Sequence, residues 1–352
     1  GASGFRSIAA VAVSDPIGIE IRHLFKIFGP RAADYVEAVQ NGLSKQELNE
    51  RYRHVLGLRD INISIAAGGI QVVMGLSGSG KSTLIRHINR LIDPTAGEIL
   101  VEGEDVVKMS STALRDFRRH RTAMVFQKFG LLPHRTVLDN VGYGLEVQGK
   151  ATAERNRISA RWIDRVGLAG FERKYPAQLS GGMQQRVGLA RALATDAPIL
   201  LMDEAYSALD PLIRYDMQTV LLDLQKEVRK TIVFITHDLD EALRIGDRIA
   251  LLRDGAVIQQ GTGQDIVLHP ADDYVANFVQ HVDRGKVVRV ASVMEAGGQE
   301  TAGPTVTMET TLTDALREMM GHGVQCLVVC DGAGRTVGRL SLQRAIAVSA
   351  GV

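Results

Sequence analysis

Residues 75–82 read "GLSGSGKS", which fits the pattern GxxxxGK[ST]. Gly75, Gly78 and Gly80 let backbone N–H groups close around phosphate oxygens, Lys81 reaches the terminal phosphates, and the Ser82 hydroxyl suits a Mg2+ ion. Ser77 belongs to the loop, and Thr83 to the segment just after it. Such a loop works only between a strand and a helix, and the flanks supply both. "IQVVM" (70–74) is a short apolar run of strand type, and "STLIRHINRLI" (82–92) has helical spacing. Working outward, residues 58–110 give strand, glycine loop, helix and strand, the order of a βαβ unit in a parallel sheet. The fold class is therefore α/β.

Phosphate chemistry also needs a metal ligand and a base, and "PILLMDEAYSALD" (198–210) carries both. Asp203 closes an apolar strand, where it can hold the Mg2+ shell. Glu204 beside it can point at the attacking water as general base, a role worth about 10²–10⁴ in rate. Gln127 follows the apolar "TAMVF" and His237 follows "TIVFIT". Both fall at strand ends, where open α/β sheets bind their ligands.

With 352 residues and 45% hydrophobic content, the chain can bury a sizeable core and hold two or three domains. Its 41 basic and 40 acidic side chains leave a net charge of +1, so no overall field favours wrapping nucleic acid, and no nucleic-acid partner is expected. No window approaches the roughly 18 consecutive apolar residues of a membrane span. The opening "GASGFRSIAAVAV" lacks an initiating Met, and residues 1–16 read as disordered or as an expression scar, not as a signal peptide. Cys326 and Cys330 are too far apart on a strand to bridge easily, and are expected as buried free thiols in a reducing cytosol. The histidine and cysteine spacings suggest no transition-metal site.

"IGIEIRHLFKIF" (17–28) alternates as a strand and ends at Phe28. Ser44 and Glu47 form a capping box, with Leu43 and Leu48 as its hydrophobic staple, so a helix is expected from about Lys45 to Val55. It lies in a helical insertion over 31–56. Residues 111–194 are mainly helical, with breaks at Pro133, Gly142, Gly144 and Gly149, and strands alternate with helices again from 195 to about 255. A linker is expected over 284–304, where "GGQETAGPT" (297–305) has linker composition. Residues 305–352 then read as strand, helix (Leu312–Met320, stopped by Gly321), strand (Val324–Cys330), a turn through "DGAGR", strand, and a helix from Leu342. A βαββα unit of about 45 residues is marginal as an independent core and is expected to need a partner copy.

One stretch looks redundant beside the first loop. "LSGGMQQRVGLARALA" (179–194) sets a hydroxyl and two glycines against a helix start, itself a phosphate-binding arrangement. Taken together, residues 17 to about 283 resemble the ATP-binding subunit of an ABC transporter. The resemblance rests on the loop at 75–82, Gln127, the signature at 179–183, Asp203–Glu204, "SALD" at 207–210 and His237. It implies a P-loop ATPase domain with a helical subdomain at about 128–194, ATP and Mg2+ as cofactors, and a nucleotide-sandwich homodimer or heterodimer. By position, Gln127 is expected to touch Mg2+ and the attacking water, His237 the γ-phosphate, and Phe28 the adenine ring. Ser180, Gly181 and Gly182 would meet the partner chain's ATP, and Asp210 lies in the nucleotide-site loop.

The insertion and the motifs around it are similar to the ATPases of quaternary-amine importers for glycine betaine, choline or proline betaine. That likeness implies a permease in the membrane, a periplasmic or extracellular substrate-binding protein acting indirectly, and a peripheral place on the cytoplasmic face of the inner (plasma) membrane. Met183, where the wider family most often has Gln, recurs in that group. The tail resembles a single cystathionine-β-synthase-type (CBS) repeat, which could pair across a homodimer to sense ionic strength or a nucleotide, or be a remnant that binds nothing. "RDFRRHR" (115–121) reads as a solvated face, with lipid headgroups or the permease as the other readings. "KFGLLPHRTV" (128–137) exposes apolar groups where the family receives the permease's coupling helix. ABC ATPases acting on DNA or ribosomes carry coiled-coil insertions, doubled ATPase units or basic arms that this sequence lacks. A purely nucleotide-sensing role fits poorly with an intact Glu204 and His237.

Overall fold

In the computed structural model, which describes residues 16–297 and 302–352, the chain opens with β1 (Ile17–Phe28). It then passes through α1 (Val36–Gln40) and α2 (Lys45–Tyr52) and returns as β2 (Val55–Ala66). β1 and β2 pair antiparallel, with Phe28 opposite Val55. β2 alternates buried and exposed positions, the signature of a sheet covered on one face. α2 begins where the capping box places it: Glu47 N–H donates to Ser44 Oγ at 3.1 Å, and Ser44 N–H to Glu47 Oε2 at 3.0 Å. Leu48 is buried with Leu43 packed beside it. The helix stops short of Val55, at Arg53 in a left-handed conformation, because the backbone must extend to pair with β1.

β3 (Ile70–Met74) is buried at every position, as a parallel strand covered on both faces should be. The phosphate-loop stretch and α3 (Lys81–Ile88) come next. Here the βαβ expectation is corrected. β4 (Ala96–Val101) does not return to β3; it runs antiparallel to β1 and takes the short β5 (Glu104–Asp105) as its other neighbour. Its alternation of Glu98 with the buried Ile99 and Val101 suits a half-covered sheet, and the first sheet has the order β2-β1-β4-β5.

α4 (Ser111–His120) leads to β6 (Thr122–Phe126), and four helices come after it: α5 (Val137–Val141), α6 (Tyr143–Val147), α7 (Thr152–Arg165) and α8 (Gly181–Ala194). These four pack on one another. Gly144 does not break the chain; it sits inside α6, where a side chain would strike the Thr195 methyl group. The chain then alternates through β7 (Ile199–Asp203), α9 (Pro211–Val228), β8 (Thr231–Thr236), α10 (Leu239–Ile245), β9 (Arg248–Arg253) and β10 (Ala256–Gly261). The second sheet has the order β10-β9-β3-β8-β7-β6, and β6, β7, β8, β3 and β9 pair in parallel. Leu84, Ile85 and Ile88 of α3 are buried in one cluster with Ile21 and Ile63 of the first sheet and Leu201 and Val233 of the second. Each is worth about 1.5–3 kcal/mol, so the helix that begins at Lys81 is held firmly.

A second unit comprises Gln259–Val352 with Ala242–Arg244, so it begins well before the expected boundaries at 283 and 305. It contains α11 (Gly263–Leu268), α12 (Asp273–Val279), α13 (Arg284–Val287), β11 (Glu295–Ala296), β12 (Thr305–Thr307), α14 (Leu312–His322), β13 (Cys326–Cys330), β14 (Thr336–Ser341) and α15 (Leu342–Ala350). The strand–helix–strand–strand–helix order of the tail is present. The expected linker is not one as far as it is described: Val288, Val290 and Val293 are buried with Leu312, Leu327 and Leu340, and β11 pairs with β14. Residues 298–301 of that stretch, like 1–15, lie outside the described residues. α14 runs through Gly321 and ends at Gly323, whose φ of +65° makes the left-handed cap. Cys326 is exposed and Cys330 half-buried, not the buried thiols expected.

Candidate nucleotide site

The register of the second sheet assembles the site. Asp203 of β7 lies opposite Phe126 of β6 and Ile235 of β8, while Met74 of β3 lies opposite Thr236. All four strands therefore end at one edge, and the residues just past them, Gln127, Glu204, the 75–80 loop and His237, emerge together. This is the carboxyl edge at which open α/β sheets bind ligands.

Glycines shape the loop at two positions. A side chain at Gly75 would collide with Ser79 Oγ and lie 2.5 Å from the Leu252 carbonyl oxygen. Gly80 has φ +101° and would place a Cβ 2.8 Å from the Gly57 carbonyl, so no other residue fits. Lys81 is buried at the start of α3, and its Nζ donates to the Leu76 carbonyl at 3.3 Å and lies 3.4 Å from Glu204 Oε1. Ser82 Oγ donates to Asp203 Oδ1 at 2.8 Å, and His237 Nδ1 is 3.4 Å from Glu204 Oε1. Gln127 is exposed at the end of β6, Ser77 is exposed on the loop, and Thr83 is half-buried one residue into α3 beyond Ser82.

Phe28 reaches the loop through one glycine. Its ring, 40% exposed, lies so close to Gly57 that a Cβ there would be 2.8 Å from Phe28 Cε2, and the Gly57 carbonyl faces Gly80. Lys26 Nζ sits 5.1 Å from the ring centroid. An exposed aromatic face beside the loop can stack a base.

Ser180, Gly181, Gly182 and Asp210 form a separate group where α8 and α9 begin. Ser180 caps α8 by accepting from Met183 N–H at 3.3 Å. A Cβ at Gly181 would lie 3.8 Å from Leu209, and one at Gly182 would lie 2.7 Å from Ile213, so the α8 start rests on the loop and helix around Asp210. Ser180, Gly181 and Asp210 are exposed.

Three cations beside these groups escape the sequence reading. Arg86 Nη2 lies 3.7 Å from Asp203 Oδ2; four residues after Ser82, it shares that residue's helix face, so helical spacing could have found it. Lys45 Nζ comes within 3.5 Å of the Gly78 carbonyl. Arg214 binds Asp238, next to His237, across 24 residues of sequence, which leaves no local signal.

Arg115, Arg118, Phe126, Tyr143, Val147 and Arg191 line a cleft of about 650 Å³ beside the 127–136 loop. The basic run in α4 is not a simple solvated face. Phe117 is buried, Arg118 donates to the carbonyls of Asn89 and Arg90 at 2.9 and 2.6 Å, and Arg121 pairs with Glu104 at 2.8 Å.

The profile of the ABC transporter family matches residues 58–207, and that of the CBS domain matches residues 301–351. The chain is 49% identical, over 92% of its length and 76% of the relative's, to the glycine betaine transport ATP-binding protein OpuAA of Bacillus subtilis. This chain belongs to the ABC transporter family. The cassette is also 44% identical to the trimethylamine N-oxide transport system ATP-binding protein TmoW of Ruegeria pomeroyi, over 93% of this chain and 96% of that one. Among solved structures it resembles the dimeric post-hydrolysis state of the ATP-binding cassette MJ0796 bound to ADP and Pi. The TM-score is 0.59 at 31% identity, over 70% of this chain and 98% of that one. The cassette is an ATPase of the P-loop fold, and its tail is a CBS-type unit.

Proposed function

We propose that this ATPase powers import of a small quaternary or methylated amine, glycine betaine foremost, as half of a nucleotide-sandwich homodimer docked on a permease at the cytoplasmic face of the inner membrane. The observation that carries the hydrolytic reading is the Glu204 carboxylate held between Lys81 and His237, one residue from the Asp203–Ser82 pair. A triphosphate in the loop competes for the Lys81 ammonium. Its transfer to phosphate frees Glu204 to accept a proton from water as that water attacks the γ-phosphorus, giving ADP and phosphate. His237 steadies Glu204 and reaches the γ-phosphate, and Phe28 stacks the adenine.

Ser82 and Asp203 offer the hard oxygen donors that Mg2+ takes, and Gln127 at the neighbouring strand end is a third. When bound, the ion neutralises phosphate charge. The exposed Ser180 and Gly181 at the start of α8, with Gly182, serve the partner chain's ATP, with Asp210 beside them. The cleft beside residues 127–136 suits a permease segment. Among the described residues no helix is long and apolar enough to cross a membrane, and in this reading the membrane path belongs to that separate subunit. The substrate class rests on the two relatives named above, whose cargoes, glycine betaine and trimethylamine N-oxide, are both small methylated amines.

The test is co-purification with the native permease and binding protein, then reconstituted uptake of glycine betaine, choline, proline betaine and trimethylamine N-oxide. ATP-dependent accumulation of at least one is expected, and accumulation of none sinks the substrate class. In the same preparation Glu204→Gln should keep ATP binding, slow hydrolysis at least about 10²-fold and trap a closed dimer. Near-wild-type turnover removes Glu204 as the base.

A further inference from the structure

Arg214, in the first turn of α9, is fastened at three points. Its Nη1 donates to Asp238 Oδ2 at 2.9 Å, and its Nη2 donates to the carbonyls of Ser207 and Leu209 at 3.4 and 3.3 Å. Those carbonyls lie on the loop between Glu204 and Asp210, and the carboxylate belongs to the residue after His237. The two charged side chains are only 20% and 32% exposed, so the pair is largely out of water. Asp238 is fixed in turn: its Oδ1 accepts from Glu241 N–H at 3.2 Å, and its own N–H donates to Thr236 Oγ1 at 3.0 Å. On the other side, Ser207 Oγ donates to the Glu204 carbonyl at 2.9 Å. One guanidinium thus sets the spacing between the backbone that carries Glu204 and the backbone that carries His237.

We infer that Arg214 is a positioning residue for hydrolysis. It locks the 207–210 loop to the His237 turn, so that pressure on Asp210 from a partner chain is carried to the His237–Glu204 pair. The inference rests on the reading of Glu204 and His237 as hydrolytic groups and of the Ser180–Asp210 group as partner-facing. Only a planar fork of donors can serve a carboxylate and two carbonyls together; a lysine can satisfy just part of the set.

The full-length ATPase answers this with rates against ATP concentration for Arg214→Met, Arg214→Lys, Asp238→Asn, the Met/Asn double variant and His237→Ala. Arg214→Met should lose roughly tenfold or more in kcat with KM changed less than about twofold, the pattern of misplaced rather than missing groups. Arg214→Lys should recover only part of the rate, and the double variant should be no slower than the slower single variant, because both break one link. A wild-type kcat for Arg214→Met, or losses that multiply in the double variant, overturns the inference. So does a rate loss that comes with equal loss of ATP binding and of thermal stability. If His237→Ala hydrolyses normally, the site reading itself fails; if it is inactive while Arg214→Met is not, only the coupling is wrong.

Discussion

Glu204 has a left-handed backbone, with φ of 49°, which costs a non-glycine residue about 1–3 kcal/mol unless its surroundings fix it. They do: its N–H donates to the Ile235 carbonyl at 3.1 Å, and its own carbonyl accepts from Ser207. The bend turns the carboxylate out of the line of β7, away from Asp203 and toward Lys81 and His237. Buried polar groups nearby matter in the same way. His87 on α3 is fully buried, its Nδ1 is 2.6 Å from the Thr83 carbonyl, and its Nε2 has no partner among the described residues. Burial pushes its pKa from 6.5 down to about 4, against the opposing pull of the Thr83 hydrogen bond. The unfolded chain therefore binds the extra proton first. Stability from this residue is complete above pH 6.5 and is lost as pH falls toward about 4, by roughly 3 kcal/mol at most. Urea unfolding should show His87→Gln losing less stability than the parent between pH 7.5 and 4.5. Equal losses would mean that folding leaves the His87 pKa where it stands in the unfolded chain. The sequence shows which carboxylates end a strand, because an apolar run and its last residue are local. It does not show the φ of Glu204 or the burial of His87, since neighbours distant in sequence create both.

Among the elements, the same division holds. The Ser44–Glu47 box placed the start of α2 because both partners lie within four residues. The path of β4 was missed because strand and helix order alone does not say which sheet a strand joins. The stretch 284–297 reads as linker because it runs into the linker-like composition of 297–305, and the core that buries its valines comes from residues distant in sequence on α14, β13, β14 and α15. The 127–136 loop joins both cases. Arg191 donates to the carbonyls of Gly130 and Phe129 at 2.8 and 3.0 Å, while the buried Asn140 bonds both the N–H and the C=O of Leu132. The loop is clamped from two helices, and its Leu131 and Leu132 are left half-buried. Leu131→Ala and Leu132→Ala should keep basal ATPase within about twofold of the parent and cut coupled uptake at least about fivefold. A stability loss in the 2–5 kcal/mol range typical of core truncation, measured by urea unfolding, would instead make these leucines packing residues.

At the scale of the whole molecule, one chain carries two glycine-rich stretches proposed to bind phosphate. The 75–82 loop meets Lys81, Asp203, Glu204 and His237 within the chain. The α8 start lies against the apolar side chains of Leu209, Phe129 and Ile213, and Ser180 and Gly181 are exposed. Ser180 accepts from Met183 N–H, which leaves its own hydroxyl proton free to donate outward alongside the backbone N–H groups of Gly181 and Gly182. With α8 running 14 residues, the positive end of its dipole points the same way. If that end completes a second chain's site, hydrolysis needs two chains. The rate should then rise with the square of protein concentration at high dilution and become linear once dimers saturate. Gly181→Glu sharpens the case, because a Cβ at this position comes no closer than ordinary van der Waals contact to Leu209 and Phe129, so the fold tolerates it. Its carboxylate would face the partner's phosphates. It should bind ATP as the parent does and fail to hydrolyse it. A rate linear in protein at every dilution, or turnover by Gly181→Glu, would mean that each chain works alone.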